Sequence, residues 1–292
     1  MQPEIWDSRR ALHGEGPVAT GPGNNKVLWV DIMGQAILWR DFVTGEFGSW
    51  DIGEDVSFVV PRKSGGMIIG NATGPVVLHE NGEREALPTR FDADGFKDPM
   101  PIRWNDAKVA PNGDLWLGTM AYGGADKVGG LYRLTNDSKS LTRVLSDVQI
   151  SNGLDWSTDA KSFYFIDTPT LGIDAFDYAG GSISNRRTVW AIEADKEEYP
   201  DGMTMDSEGG FWVAMWNGAC VRRIDSNFNV TEVITFPNKF ITSCAFAGAD
   251  LKTLIITTSQ GDNGLKDDHP QAGMTYALQP GVTGRASVPF GI

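Results

Sequence analysis

One short pattern recurs six times along the chain and sets what it can fold into: a Gly- or Asp-containing turn followed by a β-prone run. The runs occupy residues 27–32, 67–70, 115–120, 162–167, 211–215 and 253–258. Each leads into a further strand-like segment, at 36–40, 75–79, 130–134, 173–177, 220–224 and 274–278, closed by a polar turn. Apolar alternation bounded by Gly, Asn and Asp is the pattern of antiparallel hairpins. Sharing 292 residues among six units gives about 49 each, the size of a four-stranded propeller blade. The long amphipathic helical periodicity that a parallel α/β sheet requires is absent. These observations predict an all-β fold, a six-bladed β-propeller with four-stranded blades, as a single domain over residues 1–292. A generic β-sandwich leaves the even spacing of six units unexplained.

A repeat of this kind also locates a site, because equivalent residues of successive blades lie at equivalent distances from the axis. Alignment on the segment before each turn pairs Glu15 with Gly23, Ser57 with Gly65, Asn105 with Gly113, Asn152 with Ala160 and Asp201 with Gly209, eight residues apart each time. The last unit fits less cleanly, with Thr242 or Ser243 leading to Asp250. One ring position, at the start of the innermost strand, therefore carries Glu15, Ser57, Asn105, Asn152, Asp201 and Thr242 or Ser243. Val or Ala would serve there if packing were the only demand. Instead the ring is acidic or amide, and Gly16, Gly153 and Gly202 follow three of its members, as expected where backbones approach closely or φ is unusual. Two crowded carboxylates repel and raise each other's pKa. A divalent cation removes that conflict, and carboxylate and amide oxygens suit Ca, Mg or Mn, with Zn and Fe(II) also accepted by carboxylates. The competing reading is a hydrated polar channel without metal.

Charge and composition exclude other functions. With 25 basic and 38 acidic residues the net charge is −13, which opposes binding to nucleic acid or anionic membrane surfaces. No stretch approaches the eighteen apolar residues of a membrane span. Two cysteines, Cys220 and Cys244, form neither a disulfide framework nor a CxxC pair. The N-terminal residues lack the basic and apolar regions of a signal peptide, so a cytoplasmic protein is expected. No Gly-x-Ser-x-Gly elbow is present. His13, His79 and His269 are too scattered for a His-rich zinc site; His13, two residues before Glu15, is read as packed or solvated in preference to facing the mouth. The segment 225–229 opens like a calcium loop but lacks its later Gly and Glu. Trp29, Trp116 and Trp212 are read as blade-packing residues.

The ring residues and their neighbours carry a family resemblance. The segments are Gly14-Glu15-Gly16-Pro17, Arg103-Trp104-Asn105-Asp106, Gly118-Thr119-Met120, Ser151-Asn152-Gly153-Leu154, Ile183-Ser184-Asn185-Arg186-Arg187 and Pro200-Asp201-Gly202-Met203. In this order they resemble the SMP-30/regucalcin/gluconolactonase family. The resemblance implies one bound divalent metal and hydrolysis of sugar lactones to aldonic acids, a role in carbohydrate metabolism. It implies Glu15, Asn152 and Asp201 as metal ligands, and Arg103 and Asn105 as substrate-binding residues. One departure stands out: Gly123 falls where such proteins carry a substrate-binding acid, with Tyr122 and Asp126 as nearby replacements.

A mechanism follows as an expectation: the metal polarises the lactone carbonyl, water attacks, and Asp201 accepts its proton as well as holding the ion. The expected partner is a small sugar lactone, and the expected assembly is a monomer or small homo-oligomer. The alternatives are a metal-dependent esterase or phosphotriesterase-like propeller, and a non-catalytic calcium-binding propeller.

Overall fold

The structure is a computed structural model that describes residues 2–72, 74–90, 102–124, 127–262 and 264–291. Its strands form six antiparallel sheets of four strands each, arranged as the blades of a propeller. The innermost strands are Gly14–Thr20, Val56–Pro61, Ile102–Val109, Ser151–Trp156, Tyr199–Met205 and Ile241–Ala247. Each begins one to three residues before the predicted ring position. The six β-prone runs are the second strands, and the segments after them are the third.

The eight-residue spacing has a conformational cause. Gly23, Gly65, Gly113, Ala160 and Gly209 all sit at positive φ, in the turn between first and second strands. In the last blade this conformation is taken by Leu251, one residue beyond Asp250, which explains its poorer fit. The closure of the sixth blade was not foreseen. Its fourth strand is Glu4–Asp7 from the N-terminus, paired with Thr275–Leu278 so that Ile5 lies opposite Tyr276.

The core divides as the blades do. Six buried apolar clusters among the described residues each fill one blade-to-blade interface. Trp29, Trp116 and Trp212 belong to three of them and are almost fully buried, as expected of packing residues. Cys220 and Cys244 are buried free thiols. Asp225 accepts hydrogen bonds from the backbone of Asn227 and Asn229, both at 2.9 Å, so the calcium-like segment is a capped turn. His79 lies at a strand end facing Glu85.

Every innermost strand is interrupted at the same place. The pairing register shifts between Glu15 and Val18, Val56 and Val59, Trp104 and Ala107, Ser151 and Leu154, Pro200 and Met203, and Ile241 and Ser243. A β-bulge leaves residues without a ladder partner and re-aims their side chains. Here the bulge sits on or directly beside the ring, which is what frees acidic and amide side chains to line an axial cavity.

Candidate active site

Four ring residues, Glu15, Asn105, Asn152 and Asp201, line one cavity of roughly 370 Å³ together with Arg103. That volume lies at the small end of ligand pockets and suits a ligand of monosaccharide size. The other two ring positions do not line it. Thr242 donates its hydroxyl to the Gly14 carbonyl at 2.6 Å, and Ser57 is buried away from the cavity walls. All five predicted site residues are thus brought together, at one mouth of the channel.

Their hydrogen bonds form a directed chain. Thr168 donates its hydroxyl to the Pro200 carbonyl at 2.8 Å, so toward Asn152 it acts as acceptor, for Nδ2 at 2.7 Å. This fixes the Asn152 amide with its Oδ1 on the other side, where Asn105 Nδ2 donates to it at 2.7 Å. Asn105 Nδ2 also donates to the Ser151 carbonyl at 2.7 Å, and Asn105 Oδ1 accepts from Arg103 Nη1 at 2.6 Å. Asn105 therefore spends both ends of its amide inside the protein. It orients Asn152 and Arg103 at least as much as it faces the cavity.

The electrostatics are those of a site in conflict. Burial, then the nearby Asp106 charge, pushes the Glu15 carboxyl from 4.5 up to about 8, with the Gly16 N–H and Arg103 opposing. Burial and the charges of Glu15 and Asp106 also drive Asp201 well above the usual carboxylate range. Asp106, the residue after the ring in its blade, is raised to about 6, chiefly by burial. It faces the opposite end of the channel, a second cavity of roughly 300 Å³ where Asp155 bonds both Lys108 and Arg285 at 2.6 Å.

Two buried carboxylates and an oriented amide oxygen match the donor chemistry of a hard divalent cation. Among the described residues no cluster of three or more His, Cys, Asp or Glu is arranged to hold a metal. A cation at this ring would therefore depend on the Asn152 oxygen as well as on Glu15 and Asp201.

Sequence reasoning missed much of the cavity wall. His13, expected to be packed or solvated, is buried and lines the cavity, its ring stacked on Trp216 at 5.4 Å and its Nδ1 3.3 Å from Ser259 Oγ. Burial, then Arg103, lowers its pKa to about 4, so the imidazole is neutral near pH 7. Trp216 stacks in turn on Phe240 at 4.3 Å. Gln149, Tyr199, Asp262 and Leu265 reach the mouth from other loops and strand ends. The one available signal for His13 was Asp31, whose carboxylate accepts the Leu12 and His13 N–H groups at 2.9 and 3.0 Å and so fixes the approach to Glu15. Asp167 does the same for Gln149 and Ile150 before Asn152. Gly123 stands at φ +80, and beyond its chain neighbours no atom lies within 4 Å of where a Cβ would sit. Tyr122 next to it donates its hydroxyl to Asp55 at 2.9 Å. Asp126 lies outside the described residues.

Fold and site together define a six-bladed propeller with an oxygen-rich acidic pocket on its axis. Residues 13–260 match the family described as the SMP-30/Gluconolactonase/LRE-like region, and the chain belongs to that family. It is 36% identical to regucalcin of Gallus gallus, over 98% of this chain and 97% of the relative. It is 35% identical to YvrE of Bacillus subtilis strain 168, provisionally named a sugar lactone lactonase, over 96% of each chain. Among solved structures, a luciferin-regenerating enzyme superposes with a TM-score of 0.87 at 26% identity, covering 99% of this chain and 100% of that one. A regucalcin from Agrobacterium tumefaciens, described as a calcium-binding protein, shares the fold with a TM-score of 0.88 at 23% identity, covering 100% and 98%.

Proposed function

We propose that this protein is a metal-dependent sugar lactonase, opening a cyclic ester to an aldonic acid. The reading rests on one observation: Glu15, Asp201 and the Asn152 oxygen meet in a buried cavity beside Arg103, in an arrangement that penalises the charge of both acids unless a cation is present. Glu15, Asn152 and Asp201 would hold a divalent ion, which when bound supplies Lewis-acid polarisation of the lactone carbonyl. The names of the lactonase and calcium-binding relatives agree with this chemistry.

The chain's own residues account for the rest. Arg103 presents a buried cation to the substrate's hydroxyl and ring oxygens, where its donors are worth more than in water. Asn105 and Thr168 keep the Asn152 amide in the correct sense, and both line the cavity that would hold the substrate. Asp201, ionised when the cation is bound, is the carboxylate positioned to accept the proton of the attacking water. Trp216 and Met120 supply apolar surface to the cavity wall.

The test is proton release from a panel of pentono- and hexonolactones, with and without chelator, followed by restoration with Ca, Mn, Zn or Mg. Hydrolysis lost on chelation and regained with metal supports the proposal. Metal-independent hydrolysis, or activity confined to phosphotriesters or acyclic esters, refutes it.

A further inference from the structure

A second layer of inward residues lies three positions beyond the ring, where the inner strands rejoin their ladders after the bulges. In chain order it carries Val18, Val60, Lys108, Asp155, Thr204 and Ala245. Apolar side chains suffice in three of these blades, so packing alone does not call for charge at this level. The polar positions belong to the three successive blades that carry Asn105, Asn152 and Asp201.

Asp155 is the centre of this layer. Buried, it accepts from Lys108 Nζ and Arg285 Nη2, each at 2.6 Å, and from the Met205 N–H at 3.0 Å. Lys108 Nζ reaches on to the Met203 carbonyl at 3.3 Å. Each inner strand is the end strand of its sheet, so no ladder fixes its distance from the inner strand of the next blade. Here side chains do so, because Lys108 and Asp155 bind the Asp201 strand through its Met203 and Met205 backbone. On the ring side of the bulges the same strands are joined by Asn105, Asn152 and Thr168, the last through the Pro200 carbonyl. The bulges that release Asn152 and Asp201 are therefore pinned from both sides. Arg285 comes from a C-terminal segment that crosses this end of the channel. Gly284 N donates to the Leu251 carbonyl and Phe290 N to the Pro61 carbonyl, both at 2.8 Å.

We infer that Asp155 is a positioning residue of the metal site: joined by Lys108 and Arg285, it fixes the separation of Asn152 and Asp201 from the far side of the bulges. This role rests on Asn152 and Asp201 being metal ligands. A buried ion pair carries a desolvation cost that apolar side chains avoid. What it adds here is directed bonds to a neighbouring backbone, which Val or Ala cannot make.

The experiment titrates chelator-stripped protein with Ca or Mn by calorimetry, alongside thermal unfolding of the same samples. Asp155→Asn keeps the shape but cannot accept from all of these donors, and should raise the Kd about 10–100-fold. Its lost negative charge weakens cation binding in itself, so Arg285→Met is the decisive variant. Removing a nearby positive charge tightens cation binding by its field alone, whereas a positioning role predicts a Kd several-fold higher. Asp114→Asn controls for general destabilisation: Asp114 is also buried and pairs with Arg133 at 2.6 Å, but its bonds stay within its own blade. Its Kd should stay within about twofold of wild type. An unchanged Kd in Asp155→Asn, or one unchanged or lowered in Arg285→Met, overturns the positioning role while leaving the metal site intact. So does an equal rise in Asp114→Asn. Should Asp155→Asn fail to fold, Arg285→Met decides alone. A wild type that binds no divalent cation overturns the metal reading itself, and the role of Asp155 with it.

Discussion

Removing the metal should make the stability of this protein depend on pH in a direction opposite to ordinary acid denaturation. Glu15 ordinarily ionises at 4.5 but at about 8 in the fold, so near neutrality the native state holds a proton that the unfolded chain has released. A group raised in this way stabilises fully below its unfolded pKa and loses that contribution as pH rises through the folded one. Each pH step costs about 1.4 kcal/mol, so between pH 4.5 and 7 Glu15 alone removes about 3 kcal/mol. With about 2.1 cal/mol/K of unfolding entropy per residue over 292 residues, this is roughly 5 °C in Tm. Asp201 acts in the same sense. Carboxylates held low, such as Asp155, where Lys108 and Arg285 outweigh burial, lose their contribution only at more acid pH. His13, lowered to about 4, opposes the Glu15 slope below its ordinary 6.5, and Asp106, raised to about 6, adds to it there, so the Glu15 slope is read between pH 6.5 and 8. The assay is thermal unfolding from pH 5 to 8, of chelated protein, metal-loaded protein and chelated Glu15→Gln. Chelated wild type should lose stability as pH rises, while the loaded protein should not, because the cation compensates the ionised acids. Glu15→Gln should flatten the slope and, at pH 7, be more stable than chelated wild type. Parallel profiles with and without chelator, or an undiminished slope in Glu15→Gln, would refute the reasoning.

Other substitutions separate the roles of neighbouring residues. Asp201→Ala should abolish metal binding and turnover together; normal hydrolysis in that variant would remove Asp201 from both assignments. Arg103→Ala should chiefly raise KM, and an unchanged KM for every active lactone would count against its contact with substrate. Thr168→Val should weaken metal affinity about 10–100-fold, measured by calorimetry, by releasing the amide that it orients. Gly153→Ala places a Cβ 2.8 Å from the Asp201 carbonyl and 2.9 Å from the Met203 amide nitrogen. Spreading these inner strands should cost about 1–3 kcal/mol in denaturant unfolding and loosen metal binding as well.

Much of this was legible because repeats write geometry into spacing. The left-handed turn residues set the period of eight, and the period identified Glu15, Asn105, Asn152 and Asp201 before any coordinate. The glycines after the ring were readable too: Gly16 takes positive φ, while Gly153 and Gly202 sit where a Cβ would strike the neighbouring inner strand or Ser243. What stayed hidden was whatever the repeat does not enforce. Ser57 and Thr242 occupy the ring by count, but local contacts keep Thr242 from the cavity. His13, Trp216 and Asp262 reach the site from an approach segment, a strand end and a loop, where no periodicity predicts a direction. The wall opposite Gly123 depends on Tyr122 meeting Asp55, a contact between blades separated by 67 positions.

The strand Glu4–Asp7 has a temporal consequence. Its partner, Thr275–Leu278, lies some 270 positions downstream, since Ile5 pairs with Tyr276. During synthesis at about 5–20 residues per second, the leading strand must wait roughly 15–50 seconds for the segment that receives it. Until then the circle is a crescent with two raw edges, and Glu15, a few residues past that waiting strand, has no blade six at its back. The mouth around Glu15 is consequently among the last parts of the molecule to be finished, completed by the same event that locks the ring.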